Sequence, residues 1–185
     1  MPTDIDTRWD GIIIRMRSDN ESVMFPTLVK EALNKIYSKP KGKELIDGIA
    51  ALAAKKKFGF TVCIMRPGGL AYGKFDPKKG PSWSSGNVAV RTNELDACNG
   101  TGTVSKVIWN ANVTSTPDGV RPPFIGLAHE LIHAYYSLQG KGKADTAEEE
   151  SRTVGLSPNE DKRSVNENKI RAEHNVPART QYSGL

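Results

Sequence analysis

The 185-residue chain contains few of the residues that define several common classes of protein. Its only cysteines, Cys63 and Cys98, are too few for a disulfide framework and lack the spacing of a cysteine zinc site. We expect two free thiols, with a single bridge between them as the alternative. No apolar run approaches the roughly 18 residues that a membrane span needs, so we expect no span. The N-terminus also lacks the basic and apolar regions of a cleavable signal peptide, which implies another export route if the protein leaves its cell.

Acidic residues are in a minority, and the formal net charge is +5. The lysines fall in separate short clusters, without the interleaved aromatic residues that are typical of nucleic-acid-binding surfaces. These clusters lie at 55–57, 78–79 and 141–143. We interpret them as solvated faces and expect no nucleic-acid partner. An acidic protein partner is the more economical alternative explanation of the charge.

Histidine is scarce as well, but two of the three histidines lie in one motif. Residues 127–134 read LAHELIHA, which contains the pattern HExxH. On a helix, His129 and His133 stand at i and i+4, so both imidazoles project from one face and can hold one metal ion. Glu130 is placed to accept a proton from a water molecule on that ion. The apolar neighbours disfavour a chance match, because two unpaired imidazoles would be costly there. The motif therefore predicts one bound zinc ion with Glu130 as the catalytic base.

The third protein ligand of such a zinc ion must come from elsewhere in the chain. Metzincins carry Gly and His where this sequence has Tyr136 and Gln139, so that class is excluded. The remaining common pattern is a glutamate on a second helix, and consecutive glutamates occupy 148–150. A solvated acidic helix start accounts for all but one of them.

Among these glutamates, Glu149 is our first choice as the zinc ligand. It precedes Thr153 by one helical turn, a spacing at which a small polar residue can support a metal site. Glu150 is the alternative, because its direction on the helix is the neighbouring one. The remaining histidine, His174, is a further candidate ligand, although a surface or capping role fits it better.

The predicted fold class is α+β: a compact single-domain, zincin-like HExxH fold with a small mixed sheet packed against the active-site helix. Length and composition are those of one globular domain, which we place at 1–185 with a flexible N-terminus at 1–10. Apolar patterns predict strands at 11–17, 60–65, 87–91 and 104–110, and helices at 25–37, 43–56, 122–140 and from 146 onward. Pro40 is expected to end the first helix, and Thr146 to cap the last of these four. The strand just ahead of the HExxH helix is predicted to be a sheet edge, with backbone groups free to bind an extended substrate.

The C-terminal tail holds a second dense group of polar residues. Glu167 and Arg171 stand at helical spacing and are expected to form an ion pair that locks the last helix beneath the site. Asn168 and Arg171 are alternatively candidates for orienting the zinc ligands from outside. Arg179 and Tyr182 follow the helix end, where a cation or a phenol can lie over the oxyanion that develops on a peptide carbonyl. The alternative for the whole group is a purely structural C-terminal clamp.

Three sequence blocks, in this order, resemble the NleD-like (Hop-type) type III effector metallopeptidases of Gram-negative pathogens. The blocks are HELIHA at 129–134, EExRxVGL at 149–156 and ENxxRAEHxxPxR at 167–179. They lie in the C-terminal part of the chain, and together they are far more specific than HExxH alone. The same blocks occur in toxin domains at the ends of large bacterial secreted proteins, so the chemistry is better defined than the delivery route.

The resemblance implies that His129 and His133 bind zinc and that Glu130 is the general base. A glutamate of the 149–150 pair is then the third ligand. The resemblance also implies delivery by a specialised bacterial secretion system into the host cell cytoplasm and cleavage of a host signalling protein; some members attack kinases.

Two rival hypotheses are a catalytically silent module that binds a partner in the same pocket and a basic interaction module with an accidental HExxH. Glu130 argues against the first, because binding alone needs no base. The second predicts a protein without stoichiometric zinc.

Overall fold

The structure of the protein, a computed structural model, describes residues 2–16, 24–56, 61–67, 86–116 and 119–182. The strands in these ranges are β1 (Thr3–Asp6), β2 (Ile12–Met16), β3 (Val62–Met65), β4 (Val88–Arg91), β5 (Ser105–Ile108), β6 (Ser115–Thr116) and β7 (Gly119–Val120). The helices are α1 (Met24–Tyr37), α2 (Pro40–Lys56), α3 (Glu94–Cys98), α4 (Pro123–Leu138), α5 (Thr146–Val154) and α6 (Glu167–Glu173). Some clustered lysines, at 57, 78 and 79, and the start of the strand predicted at 60–65 lie outside the described residues.

Five strands form one mixed sheet in the order β1-β2-β3-β5-β4. The central strands β2, β3 and β5 are parallel, whereas β1 and β4 run antiparallel to their neighbours. The runs 12–14 and 62–64 are buried throughout, as is typical of strands in the middle of a parallel sheet. Helices α1 and α2 lie between β2 and β3 in the sequence, in agreement with the crossover that a parallel pair requires.

The position of β5 differs from the sequence prediction. β5 pairs with β3 on one side and with β4 on the other, so it is an inner strand and its backbone groups are already hydrogen-bonded. Among the described strands, β4 pairs with β5 alone and forms the edge on this side of the sheet. The prediction of a substrate-binding edge at 104–110 is therefore wrong, because proximity to α4 along the chain does not determine strand order.

Helix α4 is the most deeply buried element of the fold. It contacts α1, α2, α5 and α6 as well as strands β4 and β5. Every residue from 125 to 134 is buried. Gly48 permits the close approach of α2, since a β-carbon there would lie 2.6 Å from the ring of Tyr135. The predicted α+β class, with a mixed sheet packed against the HExxH helix, is confirmed.

The N-terminal segment is more ordered than the sequence suggested. Strand β1 pairs antiparallel with β2, from Thr3 opposite Met16 to Asp6 opposite Ile13. Arg15 donates two hydrogen bonds to the Asp4 carboxylate, at 2.6 and 2.7 Å, and so ties the two strands together. Residues 3–6, which lie within the segment predicted to be flexible at 1–10, thus pair as a strand, and such a pairing cannot be inferred from so short a polar segment.

Two helix starts also differ from the sequence prediction. Helix α1 ends at Tyr37, before Pro40, as predicted, but α2 begins at Pro40 rather than at 43, because the missing N–H of proline would have no partner in the first turn anyway. Asp145, not Thr146, caps α5, and its side chain accepts a hydrogen bond from the backbone N–H of Glu148 at 2.7 Å. Both differences shift an element by only a few residues.

The composition predicted two free thiols and no membrane span, and both points bear on the described structure. Cys63 and Cys98 are both free thiols. Burial raises the pKa of the Cys63 thiol, which keeps it protonated and unreactive. In the part of the chain that the structure describes, no helix has the length and apolar character needed to cross a membrane.

Candidate metal centre

The HExxH residues occupy one face of α4. This helix begins with Pro123 in its first turn, a favoured position for proline, and its apolar residues fill the core on the other faces. His129, Glu130 and His133 are 2%, 5% and 8% exposed. Ionisable side chains buried to this extent require compensating partners, so their contacts determine what the site can do.

The two imidazoles and one carboxylate converge on a common point. The Nε2 atoms of His129 and His133 are 3.1 Å apart. Glu150, on α5, places its two carboxylate oxygens 3.1 Å from Nε2 of His129 and 3.3 Å from Nε2 of His133. Ligand atoms about 2.0–2.1 Å from a tetrahedral zinc ion lie about 3.3 Å apart, so these groups have the spacing of one coordination shell. Within the described ranges, these three residues are the one cluster of His, Cys, Asp or Glu side chains whose ligand atoms lie close enough together to hold a metal ion.

The position of Glu150 bears on the choice between the adjacent glutamates. Successive helical residues differ by about 100° in direction, so only one of the adjacent glutamates can face the centre. Helix α5 directs Glu150 at the inner nitrogens and Glu149 at the outer nitrogen of His133, 2.8 Å from Nδ1. Glu148 lies on the exposed side, where it pairs with Arg152 at 2.6 Å. The geometry therefore favours the alternative, Glu150.

Glu149 instead supports His133 from outside the centre. Its carboxylate receives a hydrogen bond from Nη2 of Arg163 at 2.6 Å, and Nη2 of Arg91 lies 3.4 Å away. Thr153, one turn later on α5, has its hydroxyl 3.2 Å from Nδ1 of His133 and also receives a hydrogen bond from Arg163. The predicted supporting position of Thr153 is therefore where the structure places it, beside the histidine.

Glu167 supports His129 in the corresponding way. This fully buried carboxylate lies 2.7 Å from Nδ1 of His129. It receives hydrogen bonds from Nε of Arg171 at 2.5 Å and from Nη1 of Arg179 at 3.3 Å. Asn168 holds the backbone of Arg179 through both amide atoms, at 2.8 and 2.9 Å. The expected ion pair between Glu167 and Arg171 is present, and it connects directly to the histidine.

These outer contacts fix the protonation of the two imidazoles. A carboxylate at Nδ1 requires that nitrogen to carry a proton, so when the ring is neutral the lone pair lies on Nε2 and is directed at the centre. Glu149 does this for His133, and Glu167 does it for His129. Both rings are thus held in the tautomer and the orientation that metal binding requires.

The carboxylates give the centre a strongly negative potential. Burial alone would raise the pKa of Glu149, but contacts with His133 and Arg163 outweigh it and lower the pKa to about 2. The pKa of Glu167 is likewise lowered to about 2, against burial, by its contact with His129. Burial lowers the pKa of His129, but its carboxylate partners dominate and raise it to about 10. The centre therefore favours a positive charge at this point, whether a proton or a metal ion.

Tyr182 lies over the metal-binding face of the site. Its ring is stacked on that of His129, with centroids 6.2 Å apart and planes at 13°. The guanidinium of Arg179 lies 4.9 Å from the same phenol ring. Burial raises the pKa of the Tyr182 hydroxyl, and the nearby Glu150 and Glu130 raise it further, so the phenol stays protonated.

His174 does not join the centre. It ends α6 as the C-cap residue and packs edge-on against Phe124, with ring centroids 4.9 Å apart. Burial and the charges of Lys35 and Lys39 lower its pKa, so it is a neutral aromatic side chain at physiological pH. The sequence interpretation of a capping role fits this position.

Sequence reasoning missed two of the arginines that build the site. Arg163 follows α5 in an irregular segment, and Arg91 ends β4, so neither belongs to a recognisable motif. Their joint partner Glu149 comes from a different helix. The signal that could have found them is physical: a buried carboxylate such as Glu149 needs a nearby cation, and the sequence analysis named no cation for Glu149.

The chain matches the Peptidase_M91 family, described as "Effector protein", over residues 15–182. Since this match spans most of the chain, the protein belongs to that family of effector peptidases. The resemblance to NleD-like effector metallopeptidases is thereby confirmed. No curated protein sequence matches the chain. Membership implies a peptidase that is delivered into host cells and acts on a host substrate.

Proposed function

We propose that the protein is a zinc-dependent endopeptidase that cleaves a host protein after delivery into the host cell cytoplasm by a specialised secretion system. The observation that supports this most is the convergence of the His129 and His133 Nε2 atoms with the Glu150 carboxylate at 3.1–3.3 Å. Two imidazoles and a carboxylate, with a fourth position open, are the donor set of a catalytic zinc site. The donors fit the ion in number, type and spacing.

Each residue of the centre has a defined part in peptide hydrolysis. His129, His133 and Glu150 would hold the zinc ion, which supplies a Lewis acid that polarises the scissile carbonyl and acidifies a water molecule. Glu130 accepts the proton of the attacking water and passes it to the leaving amine. Burial raises the pKa of Glu130, and a raised pKa suits a group that must both accept and return a proton.

Tyr182 is the proposed donor to the oxyanion that develops on the scissile carbonyl. Its position over His129 supports this role, as does the raised pKa of its hydroxyl, which keeps the proton available for donation. Arg179 does not share this role, because its guanidinium is committed to Glu167 and to the phenol ring. Arg179 positions the tyrosine instead.

Strand β4 is the proposed binding edge for an extended substrate. Asn87, just before β4, adjoins Gly126 near the start of α4, and Arg91 at the end of β4 donates a hydrogen bond from Nε to Ser137 Oγ at 3.1 Å. Gly126 and Ser137 lie on the same helix face as the HExxH residues, at i and i+11. β4 therefore follows this face from end to end. A peptide paired with the outer side of β4 would cross the metal centre.

The deciding experiment compares the protein with its Glu130→Ala variant. Both purified proteins should contain one zinc ion by elemental analysis, because Glu130 is not a ligand. New protein N-termini should appear by mass spectrometry in host cells that express the wild type and not in cells that express the variant. Loss of zinc from the variant would reassign Glu130 to the metal, and identical N-termini in both samples would contradict the proposed function.

The same experiment identifies the target. The family resemblance points to host signalling proteins, including kinases, and new N-termini within a kinase would support that part of the proposal. The alternative, a catalytically silent partner-binding module, predicts no new N-termini and an unaltered cellular effect of the Glu130→Ala variant. A buried base beside a metal-binding group has no use in such a module.

A further inference from the structure

The side chain of Arg121 is a buried cation that forms no hydrogen bond or ion pair among the described residues, although its charge partly offsets the burial that raises the pKa of Glu130. Its residue is 8% exposed, and its Nε atom has no hydrogen-bond partner. No ion pair joins it to a carboxylate in the described part of the chain, whereas Arg163 and Arg171 each contact one at 2.5–2.6 Å. A buried guanidinium is costly without a carboxylate at ion-pair distance, and Glu130 is not that close, so an acidic ligand from outside the chain would stabilise Arg121.

A second unpartnered donor lies beside Arg121. Nδ2 of Asn87 has no hydrogen-bond partner, although Oδ1 of the same amide accepts a hydrogen bond from the Asn110 backbone at 2.8 Å and fixes its orientation. Both donors adjoin Gly126: a β-carbon there would lie 2.5 Å from Asn87 Nδ2 and 3.5 Å from Arg121 Nε. The absence of a side chain at Gly126 is what allows the two groups to meet on α4.

The two donors, Arg121 Nε and Asn87 Nδ2, adjoin the same face of α4 that carries the metal centre, one helical turn away from it. Gly126 precedes Glu130 by one helical turn on the same face of α4, which corresponds to about 6 Å along the helix axis. An extended peptide advances about 3.3 Å per residue, so this distance is spanned by about two residues. Asn87 also leads directly into β4, the edge proposed above to bind the substrate.

We propose that Arg121, assisted by Asn87, forms a specificity subsite for an acidic side chain of the substrate, about two residues from the scissile bond. This inference rests on the proposed peptidase function. A carboxylate matches both observations: it accepts hydrogen bonds from guanidinium and amide groups, and its charge neutralises the cation. A backbone carbonyl would satisfy the donors but would leave the charge uncompensated.

The first test uses a peptide library prepared from a digested proteome and the zinc-loaded protein. Wild-type cleavage sites should be enriched in Asp or Glu about two residues from the cut, on one side only. Arg121→Gln should remove this enrichment, and Arg121→Glu should replace it with Lys or Arg. For matched peptides with Glu or Gln at that position, the wild type should prefer Glu in kcat/KM by about ten- to hundred-fold, and Arg121→Gln should cleave both equally.

The second test requires no activity. The side chain of Arg121 has no hydrogen bond or ion pair to lose within the described residues, and the backbone hydrogen bond to Thr114 is kept in the variant, so Arg121→Met should leave the Tm unchanged or raise it. Arg163→Met is the matched control. It removes a buried partner of Glu149 and should lower the Tm by roughly 6–20 °C.

The outcomes separate this inference from the proposed function. Wild-type sites without an acidic preference, or a preference that survives Arg121→Gln, would overturn the subsite while the peptidase stands. A Tm loss in Arg121→Met equal to that of the control would show that Arg121 is structural. If the wild type cleaves no peptide of the library, the proposed function is contradicted. The Tm comparison still decides whether the Arg121 side chain contributes to the stability of the fold.

Discussion

Each histidine of the candidate metal centre rests on a buried glutamate that is held by arginine, but the two supports are built differently. On the His133 side, Glu149 and Glu150 are neighbours on α5, so one helix supplies both the outer support and the inner carboxylate. On the His129 side, Glu167 comes from α6 and is joined by Arg179 from the tail. The α5 side therefore also carries the carboxylate that converges with both histidines, whereas the α6 side is joined to the tail that reaches His129.

The largest effect should come from removing the carboxylate at the junction of the two sides. Glu150→Gln replaces a charged ligand with a neutral amide that binds zinc poorly, so we expect loss of stoichiometric zinc and of activity. Zinc content after dialysis and competition with a chromogenic chelator would measure this. Full zinc occupancy in the variant would transfer the ligand role to Glu149 and remove the asymmetry between the two sides.

Tyr182, on the tail that follows α6, should affect the chemistry without affecting the metal. Tyr182→Phe removes only the hydroxyl above His129, so zinc content and Tm should stay at the wild-type values. We expect kcat to fall by about 10²–10³-fold, the usual cost of one lost oxyanion donor, with little change in KM. A variant with wild-type kcat would show that the phenol only covers the site.

The two supports themselves should have smaller and comparable effects. Glu149→Gln and Glu167→Gln each remove a carboxylate from the outer nitrogen of one histidine, and each should weaken zinc binding by about 10–100-fold. Glu148→Gln, on the exposed side of the same helix, is the matched control and should leave zinc affinity unchanged. The comparison predicts that Glu149→Gln is the more damaging change, because a disturbed α5 also displaces Glu150. A larger loss from Glu167→Gln would reverse that order.

How much of this site the sequence could predict depended on how far apart along the chain the interacting residues lie. The i, i+4 spacing of His129 and His133 is set by one helix, so it could be read directly from the motif. The choice between Glu149 and Glu150 depends on how α5 is rotated against α4, and a difference of about 100° in direction cannot be recovered from the spacing of residues. Thr153 was predicted to support a metal ligand one turn before it, and its hydroxyl lies 3.2 Å from Nδ1 of His133, beside Glu149.

The fold shows the same division between local and long-range interactions. Helices α1 and α2 follow from their apolar periodicity, to within a few residues. The edge position of β4 does not follow from any local pattern, because β5 directly precedes α4 among the strands of the main sheet and yet lies inside that sheet. Arg91 could not be connected to the centre for the same reason: only the pairing of β4 with β5 brings it to Glu149.

The residues of the metal centre are widely separated along the chain, and this determines in which state of the protein the centre can form. The groups around the histidines are drawn from β4, α4, α5, the segment before α6, α6 itself and the tail, between Arg91 and Arg179. Short stretches of the polypeptide hold only parts of the centre: 129–133 holds the motif and 149–153 holds Glu149, Glu150 and Thr153. The centre thus depends on the tertiary structure, so we expect an unfolded chain to have neither the assembled centre nor its activity.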